Sequence, residues 1–139
     1  MKLETVTPVI LTYNEEENIS RTLDKLSWAK RIIVIDSFSQ DQTVSIINKF
    51  PSTQLLQREF DDHASQWNFG LAQVESAWVL SLDADYHVTN ELRDEIRSIP
   101  EDTEENGFYI PFRYCIRGKP LRGSILPPRL ALFRHGKAS

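Results

Sequence analysis

Four short apolar runs, each followed by a segment with helical spacing, constrain this chain more than any other feature. Val6–Thr12 is the first run. Arg31–Asp36, Arg-Ile-Ile-Val-Ile-Asp, is the second, and it is apolar without alternation. A strand apolar on both faces belongs in a parallel sheet covered on both sides. Gln54–Gln57 and Trp78–Leu82 are the third and fourth. Asn14, with Glu17 three residues on, looks like a capping box opening a helix over about residues 15–27. Within it Ile19, Leu23 and Leu26 recur at helical spacing. A second helix is expected from a cap at Ser39 or Asp41 to about Phe50, where Pro51 follows. A third, capped by Asp61 or Asp62, carries Ala64, Trp67, Leu71 and Val74 on one side. A fourth starts at Thr89 or Asn90 and turns Leu92, Ile96 and Ile99 inward. Residues 1–99 therefore read βαβαβαβα, an α/β fold built on a Rossmann-like, mostly parallel sheet with right-handed crossovers.

The pattern changes after the acidic loop 100–106. Gly107–Arg117 and Arg129–Arg134 read as strands joined by a Gly/Pro-rich connection over 118–128, which predicts a mixed or antiparallel edge. Charge changes there too. Residues 1–106 hold nine Lys/Arg and twenty Asp/Glu, a net of −11, whereas residues 107–139 hold seven Lys/Arg and no carboxylate, a net of +7. The two halves return the overall −4, which argues against a general nucleic-acid binder. At 139 residues the chain is expected to be one structural domain. Residues 1–106 form its ligand-binding βαβ region and 107–139 a basic, β-rich continuation. With one cysteine, Cys115, neither an internal disulfide nor a multi-cysteine zinc site can form. The N-terminus carries no apolar signal core, so a cytoplasmic location is expected, extending to the inner face of the membrane.

Open parallel α/β sheets bind ligands outside the carboxyl ends of their strands. Three such ends are polar here: Thr12-Tyr13-Asn14-Glu15, Asp36-Ser37 and Asp83-Ala84-Asp85. Neither Gly-x-Gly-x-x-Gly nor a Walker lysine motif is present, which removes the common dinucleotide and P-loop readings. Asp83 and Asp85 stand at i and i+2 just past a buried strand. Such a pair can converge on one hard cation, Mg²⁺ or Mn²⁺, with phosphate oxygens and water completing the shell. The plainer alternative is a turn that merely favours aspartate. Asp36 can accept from a base N–H or a ribose hydroxyl, or simply serve its own loop. Trp67 and Trp78 read as core. His63, His87 and His135 have no metal-ligand spacing.

Taken together, these segments resemble family 2 glycosyltransferases, which have the GT-A fold. Thr12-Tyr13-Asn14-Glu15-Glu16 resembles that family's T-x-N-E-x opening. Residues 36–43, Asp-Ser-Phe-Ser-Gln-Asp-Gln-Thr, resemble its D-D-x-S-x-D-x-T segment. Gln66-Trp67-Asn68 resembles a place where a basic residue often precedes Asn. Leu80–Asp85 resembles the D-x-D strand, and Pro128–Arg134 the later R-L-x-L-F-R strand. The flavour is that of the bacterial lipopolysaccharide-core β-glucosyltransferase branch.

The resemblance implies a nucleotide-diphosphate sugar as donor and a glycan or lipid-linked glycan as acceptor. It implies inverting transfer at the anomeric carbon. Thr12, Asn14 and Glu15 would border the nucleoside, Asp36 would hold the base, and Asn68 would join the donor site. Asp83 would face ribose or sugar, and Asp85, with Asp83, the metal. The family's catalytic base follows the R-L-x-L-F-R strand, so it is expected beyond Ser139 and the chain reads as C-terminally truncated. Ser37 departs from the frequent second Asp, Phe38 from a frequent Gly, and Trp67 from a basic residue. The alternative is a non-catalytic nucleotide-sugar-binding or assembly module of the same fold. Peripheral membrane contact and a homodimer complete the expected partners. The +7 tail is expected to fold back over the strand ends, bringing Arg129 and Arg134 near Asp83 and Asp85.

Overall fold

The computed structural model describes residues 1–110 and 130–135 in full and the backbone of 113–116, 119–125 and 129. Its centre is a six-stranded sheet in the order β3-β2-β1-β4-β8-β5, with a separate β6–β7 hairpin. The strands are β1 Val6–Thr12, β2 Ile32–Asp36, β3 Thr53–Gln57, β4 Trp78–Asp83, β5 Gly107–Ile110, β6 Arg113–Ile116, β7 Lys119–Ile125 and β8 Arg129–Arg134. The helices are α1 Ile19–Asp24, α2 Thr43–Ile47, α3 His63–Leu71 and α4 Asn90–Ser98, after a 3₁₀ turn at Leu3–Thr5. β1 pairs in parallel with both β2 and β4, and β2 with β3. The chain therefore runs outward from β1 through β2 to β3, then returns to β4 on the other side of β1. That reversal between β1 and β4 is a topological switch point, where such sheets open a ligand crevice.

β2 is buried at all five positions, as its unbroken apolar run requires. Successive residues point to opposite faces. Ile10, Ile32, Val34, Leu80 and Leu82 join the core beneath α1, α2 and α4, while Val9, Ile33, Ile35 and Val79 pack on the α3 side. Each fully buried Ile or Leu stabilises the fold by about 1.5–3 kcal/mol. Of the expected apolar stripe, Val74 is buried and Trp67 and Leu71 pack partly buried against the core on the α3 side, while Ala64 is exposed; the fully buried positions within α3 itself are Gln66 and Gly70. The reason is close packing. A Cβ on Gly70 would sit 2.9 Å from Val9 Cγ1 and 3.2 Å from Ile35 Cγ1, so only glycine lets α3 settle on the sheet. Asp62 caps α3 by accepting from Ser65 N, and Thr89 caps α4 by accepting from Leu92 N.

The basic tail divides. β8 runs antiparallel between β4 and β5 and completes the sheet, so a boundary at 106/107 crosses one sheet rather than separating two layers. The connection expected over 118–128 contains β7, which pairs with β6. The fold-back expectation fails for Arg134. It pairs with Trp78 at the amino end of β4, the end away from Asp83. Its guanidinium lies 4.6 Å from the Trp78 ring centroid and donates to the Thr103 and Glu105 carbonyls at 3.0 and 3.2 Å. The arginine thus ties down the acidic loop by its backbone. The Arg129 side chain lies outside the described residues.

Candidate functional site

The loops after β1 and β2 are knitted to each other. Two hydroxyl relays run in parallel. Asn14 N–H donates to Ser39 Oγ at 2.8 Å, and Ser39 Oγ donates to Asp36 Oδ1. Glu15 N–H donates to Thr43 Oγ1 at 2.9 Å, and Thr43 Oγ1 donates to Asp41 Oδ1. Three further bonds close the seam: Gln40 N–H to Asn14 Oδ1, Gln42 N–H to Glu16 Oε2 and Glu16 N–H to Asp41 Oδ2. Partial burial works against ionised Asp41. The Thr43 hydroxyl and N–H and the Glu16 N–H outweigh it, and hold the carboxyl below its ordinary value of 3.8.

This seam corrects the helix expected over about 15–27. Asn14 is no cap: it sits at φ 52° and bridges to the second loop, while α1 begins at Ile19 behind Asn18, whose side chain makes no cap bond. Asparagine tolerates the left-handed region better than most residues. Phe38, at φ 60° and 52% exposed, does not, and such a conformation costs about 1–3 kcal/mol. Ser39 does not cap α2, which starts at Thr43, because its hydroxyl is engaged in the seam; Asp41, two residues before the helix, does accept from the Thr43 N–H at 2.9 Å while also serving the seam.

Asp36 is 0% exposed. Its carboxylate accepts from Ser39 N at 2.8 Å, from Ser39 Oγ, and from Gln57 Nε2 at 3.3 Å. In this state it holds its own loop. Thr12, paired with Asp36 across β1 and β2, keeps a buried hydroxyl without a hydrogen-bond partner. Packing alone does not account for that polar atom at the end of β1.

The β4 end is built differently. Asp83 is half-buried at the end of the strand, paired with Leu11, and its carbonyl accepts from Tyr86 N at 3.0 Å. Asp85 is exposed in the following turn. Between them, the Ala84 carbonyl accepts from Thr22 Oγ1 at 2.6 Å, a bond from a fully buried α1 side chain across 62 residues of chain. α1 also sets the local charge. Burial first, then Arg21, hold the His87 imidazole below its ordinary value, with Asp85 opposing and Lys25 adding.

Two carboxylates at a turn suit a hard cation that takes its other ligands from phosphate and water. No cluster of three or more His, Cys, Asp or Glu side chains able to hold a metal occurs among the described residues. Asp83 and Asp85 by themselves are therefore not a self-sufficient cage. A groove of about 670 Å³, lined by Lys30, Arg31, Thr53 and Ser76 among others, lies at the opposite, amino end of the sheet.

The fold thus brings Thr12, Asn14, Glu15, Asp36, Asp83 and Asp85 to one rim. Asn68 is exposed on α3, two residues from the inward-facing Gln66. Gln66 is the residue that sequence reasoning passed over. It is 1% exposed, donates to Ser37 Oγ at 3.0 Å and accepts from Arg58 Nη1 at 2.8 Å. Nothing along the chain marks it, since a glutamine within a helix ordinarily faces water. Among the described residues no helix is long and apolar enough to cross a membrane.

Comparison with known proteins agrees with this geometry. An uncharacterised glycosyltransferase of Rickettsia conorii is 31% identical over 97 residues, covering 69% of this chain and 34% of the relative. The chain thus spans about a third of the length of the curated relatives it matches. Among solved structures, Staphylococcus aureus TarS 1-349 in complex with UDP-GlcNAc superposes with a TM-score of 0.60 at 26% identity, over 67% of this chain and 30% of the TarS 1-349 chain. The mannosyltransferase PcManGT from Pyrobaculum calidifontis, in complex with GDP-Man and Mn²⁺, gives 0.55 at 26% identity, over 60% of this chain and 28% of its own. The model of the family described as "Glycosyl transferase family 2" matches residues 7–125, nearly the whole of the parallel sheet and its helices, and the chain belongs to that family.

Proposed function

We propose that this chain is the nucleotide-sugar-binding part of an inverting glycosyltransferase that uses Mg²⁺ or Mn²⁺ and acts on a glycan or lipid-linked glycan hydroxyl. The observation that carries the reading is the Asp83-Ala84-Asp85 turn at the carboxyl end of β4, beside the switch point. The Mn²⁺ and GDP-Man of the PcManGT complex support it. Asp83 and Asp85 would hold the cation, which when bound neutralises charge on the departing diphosphate. Thr12, Asn14 and Glu15 border the nucleoside, and Asp36 acts on it through the loop it fastens. Excess positive charge in residues 107–139 suits an anionic acceptor or membrane surface.

Transfer also needs a carboxylate within reach of the attacking hydroxyl. Residues 107–139 contain none. Asp36 is engaged, and a metal-bound carboxylate is a poor proton acceptor. Donor binding is therefore the part of the reaction that these residues support best. Calorimetry with UDP, GDP and dTDP, with and without Mn²⁺, tests the binding. At least one should bind, and more tightly with metal. A folded chain that binds none of them overturns the reading. Release of sugar onto an acceptor at rates matching a longer form of the protein would show that a base lies within residues 1–106.

A further inference from the structure

The two outer strands of the sheet are finished differently. β5 carries a bulge, with its register shifted between Phe108 and Tyr109. A bulge is one of the devices that keep a free edge from pairing. β3, at the other edge, has no bulge, and Thr53-Gln54-Leu55-Leu56-Gln57 contains neither a charge nor a proline. The direction of its main-chain groups is fixed. The Ser52 carbonyl accepts from Ile32 N, and Arg58 N donates to the Asp36 carbonyl, so Ser52, Gln54, Leu56 and Arg58 turn towards β2. Leu55 and Gln57 therefore turn N–H and C=O outward. Thr53 turns out its C=O, and its N–H is taken by the Phe50 carbonyl.

The two ends of this edge differ in charge. Just before β3, Lys49 is exposed. Lys30 and Arg31, entering β2, line the groove of about 670 Å³ together with Pro51 and Ser52. Glu4 and Glu75 line it too, from the starts of β1 and β4, farther from the edge. Just after β3, Glu59, Asp61 and Asp62 are exposed, and Arg58 is paired with Asp61 at 3.0 Å. Phe60 is 47% exposed in the same loop, its ring edge-on to His63 with centroids 5.1 Å apart.

We propose that β3 is the contact between two copies of this chain, paired edge to edge and antiparallel about a two-fold axis at Leu55. In that register Leu55 faces Leu55 of the second copy, and Thr53 faces Gln57. The outward groups then satisfy one another: the two Leu55 residues exchange N–H and C=O, and each Gln57 N–H meets a Thr53 carbonyl. The same rotation sets the acidic end of each copy against the basic end of the other. It also brings Phe60 beside the second copy's Phe50 and Pro51, at the mouth of the groove. A two-fold contact has to be self-complementary, and the opposite charges at the ends of β3 meet that condition. A parallel pairing would set like charges together. Because strand direction reverses across the axis, the two candidate donor sites open at opposite poles of the dimer.

Sedimentation equilibrium of the 139-residue chain over a range of concentrations tests this, with thermal melts to confirm that each variant folds. The wild type should reach twice the monomer mass. Phe60→Ser removes a ring that the symmetry counts twice and should weaken the dimer at least about tenfold. Lys49→Glu sets a carboxylate against Glu59 and Asp61, and should weaken it about as much at low salt and less at high salt. Tyr109→Ser, at the β5 edge, should leave it unchanged. Should Phe60→Ser not fold, Lys49→Glu decides. A chain that stays monomeric up to about 1 mM overturns the inference. So does a dimer that neither Phe60→Ser nor Lys49→Glu weakens, or one that Tyr109→Ser breaks.

Discussion

The loops after β1 and β2 and the turn after β4 reach the same rim, and they are made in opposite ways. The first pair is closed on itself. Asn14, Glu16, Ser39, Asp41 and Thr43 bond mainly to one another, and Asp36 is sealed beneath them. The turn after β4 is fastened from behind, by Thr22 on the Ala84 carbonyl, and leaves Asp85 exposed. The comparison teaches that polar residues at a strand end divide into two kinds. Some build the rim, and some act from it. Residue type alone does not separate them, since both groups contain aspartates.

The sharpest way to break the contrast is Asp85→Ala. Partners that merely support a metal ligand already contribute about 10–100-fold to metal affinity, so loss of a ligand should remove at least about that much. Calorimetry should show nucleotide binding that no longer improves with Mn²⁺. An Mn²⁺ effect that survives would move the cation elsewhere.

Next in size is Thr22→Val, which keeps the shape and deletes the hydroxyl. It leaves a buried carbonyl unpartnered, a loss of about 1–3 kcal/mol in stability. Because the carbonyl lies between the two candidate ligands, Mn²⁺ affinity should fall about tenfold while metal-free nucleotide affinity holds. Thr22→Ser should restore both. Equal loss with and without metal would make Thr22 structural only.

The seam predicts a smaller, pH-dependent effect. A carboxyl whose folded value lies below the unfolded 3.8 adds stability that is fully present above 3.8 and is lost as pH falls through the folded value. Wild-type melting temperature should therefore drop further between about pH 5 and pH 3 than that of Asp41→Asn. Identical drops would remove Asp41 from the seam's energetics.

Smallest at the site is Arg134→Ala. Its contacts are at the Trp78 end of β4, so melting temperature should fall while UDP and GDP affinities stay within experimental error. A change in nucleotide affinity would tie the two ends of the sheet together.

Much of the fold was legible because burial on both faces leaves a plain mark. Ile32–Asp36 and Trp78–Asp83 are strands where their apolar runs place them. What misled was local chemistry with two uses. Asn14 with Glu17 reads as a cap, and Ser39 as another, because side chains that cap a helix are the ones that bridge loops. Only the partner loop, 25 or 26 residues away, distinguishes the two. The same limit hid Gln66, since glutamine in a helix usually faces water. Its partners Ser37 and Arg58 follow the ends of β2 and β3, and no spacing along the chain announces them.

The place of β8 has a consequence in time. The last strand of the sheet lies between β4 and β5, so β5 has no partner in that sheet until β8 has been made. Synthesis at about 5–20 residues per second takes about 3–10 s to travel from Asp83 to Arg134. For those seconds the newborn chain carries β4 as an open edge, with main-chain groups unpaired and Val79 and Leu80 beside them. A growing chain of this kind is most prone to clumping then, and a helper that shields one sheet edge during synthesis would raise its yield more than one acting on the finished fold.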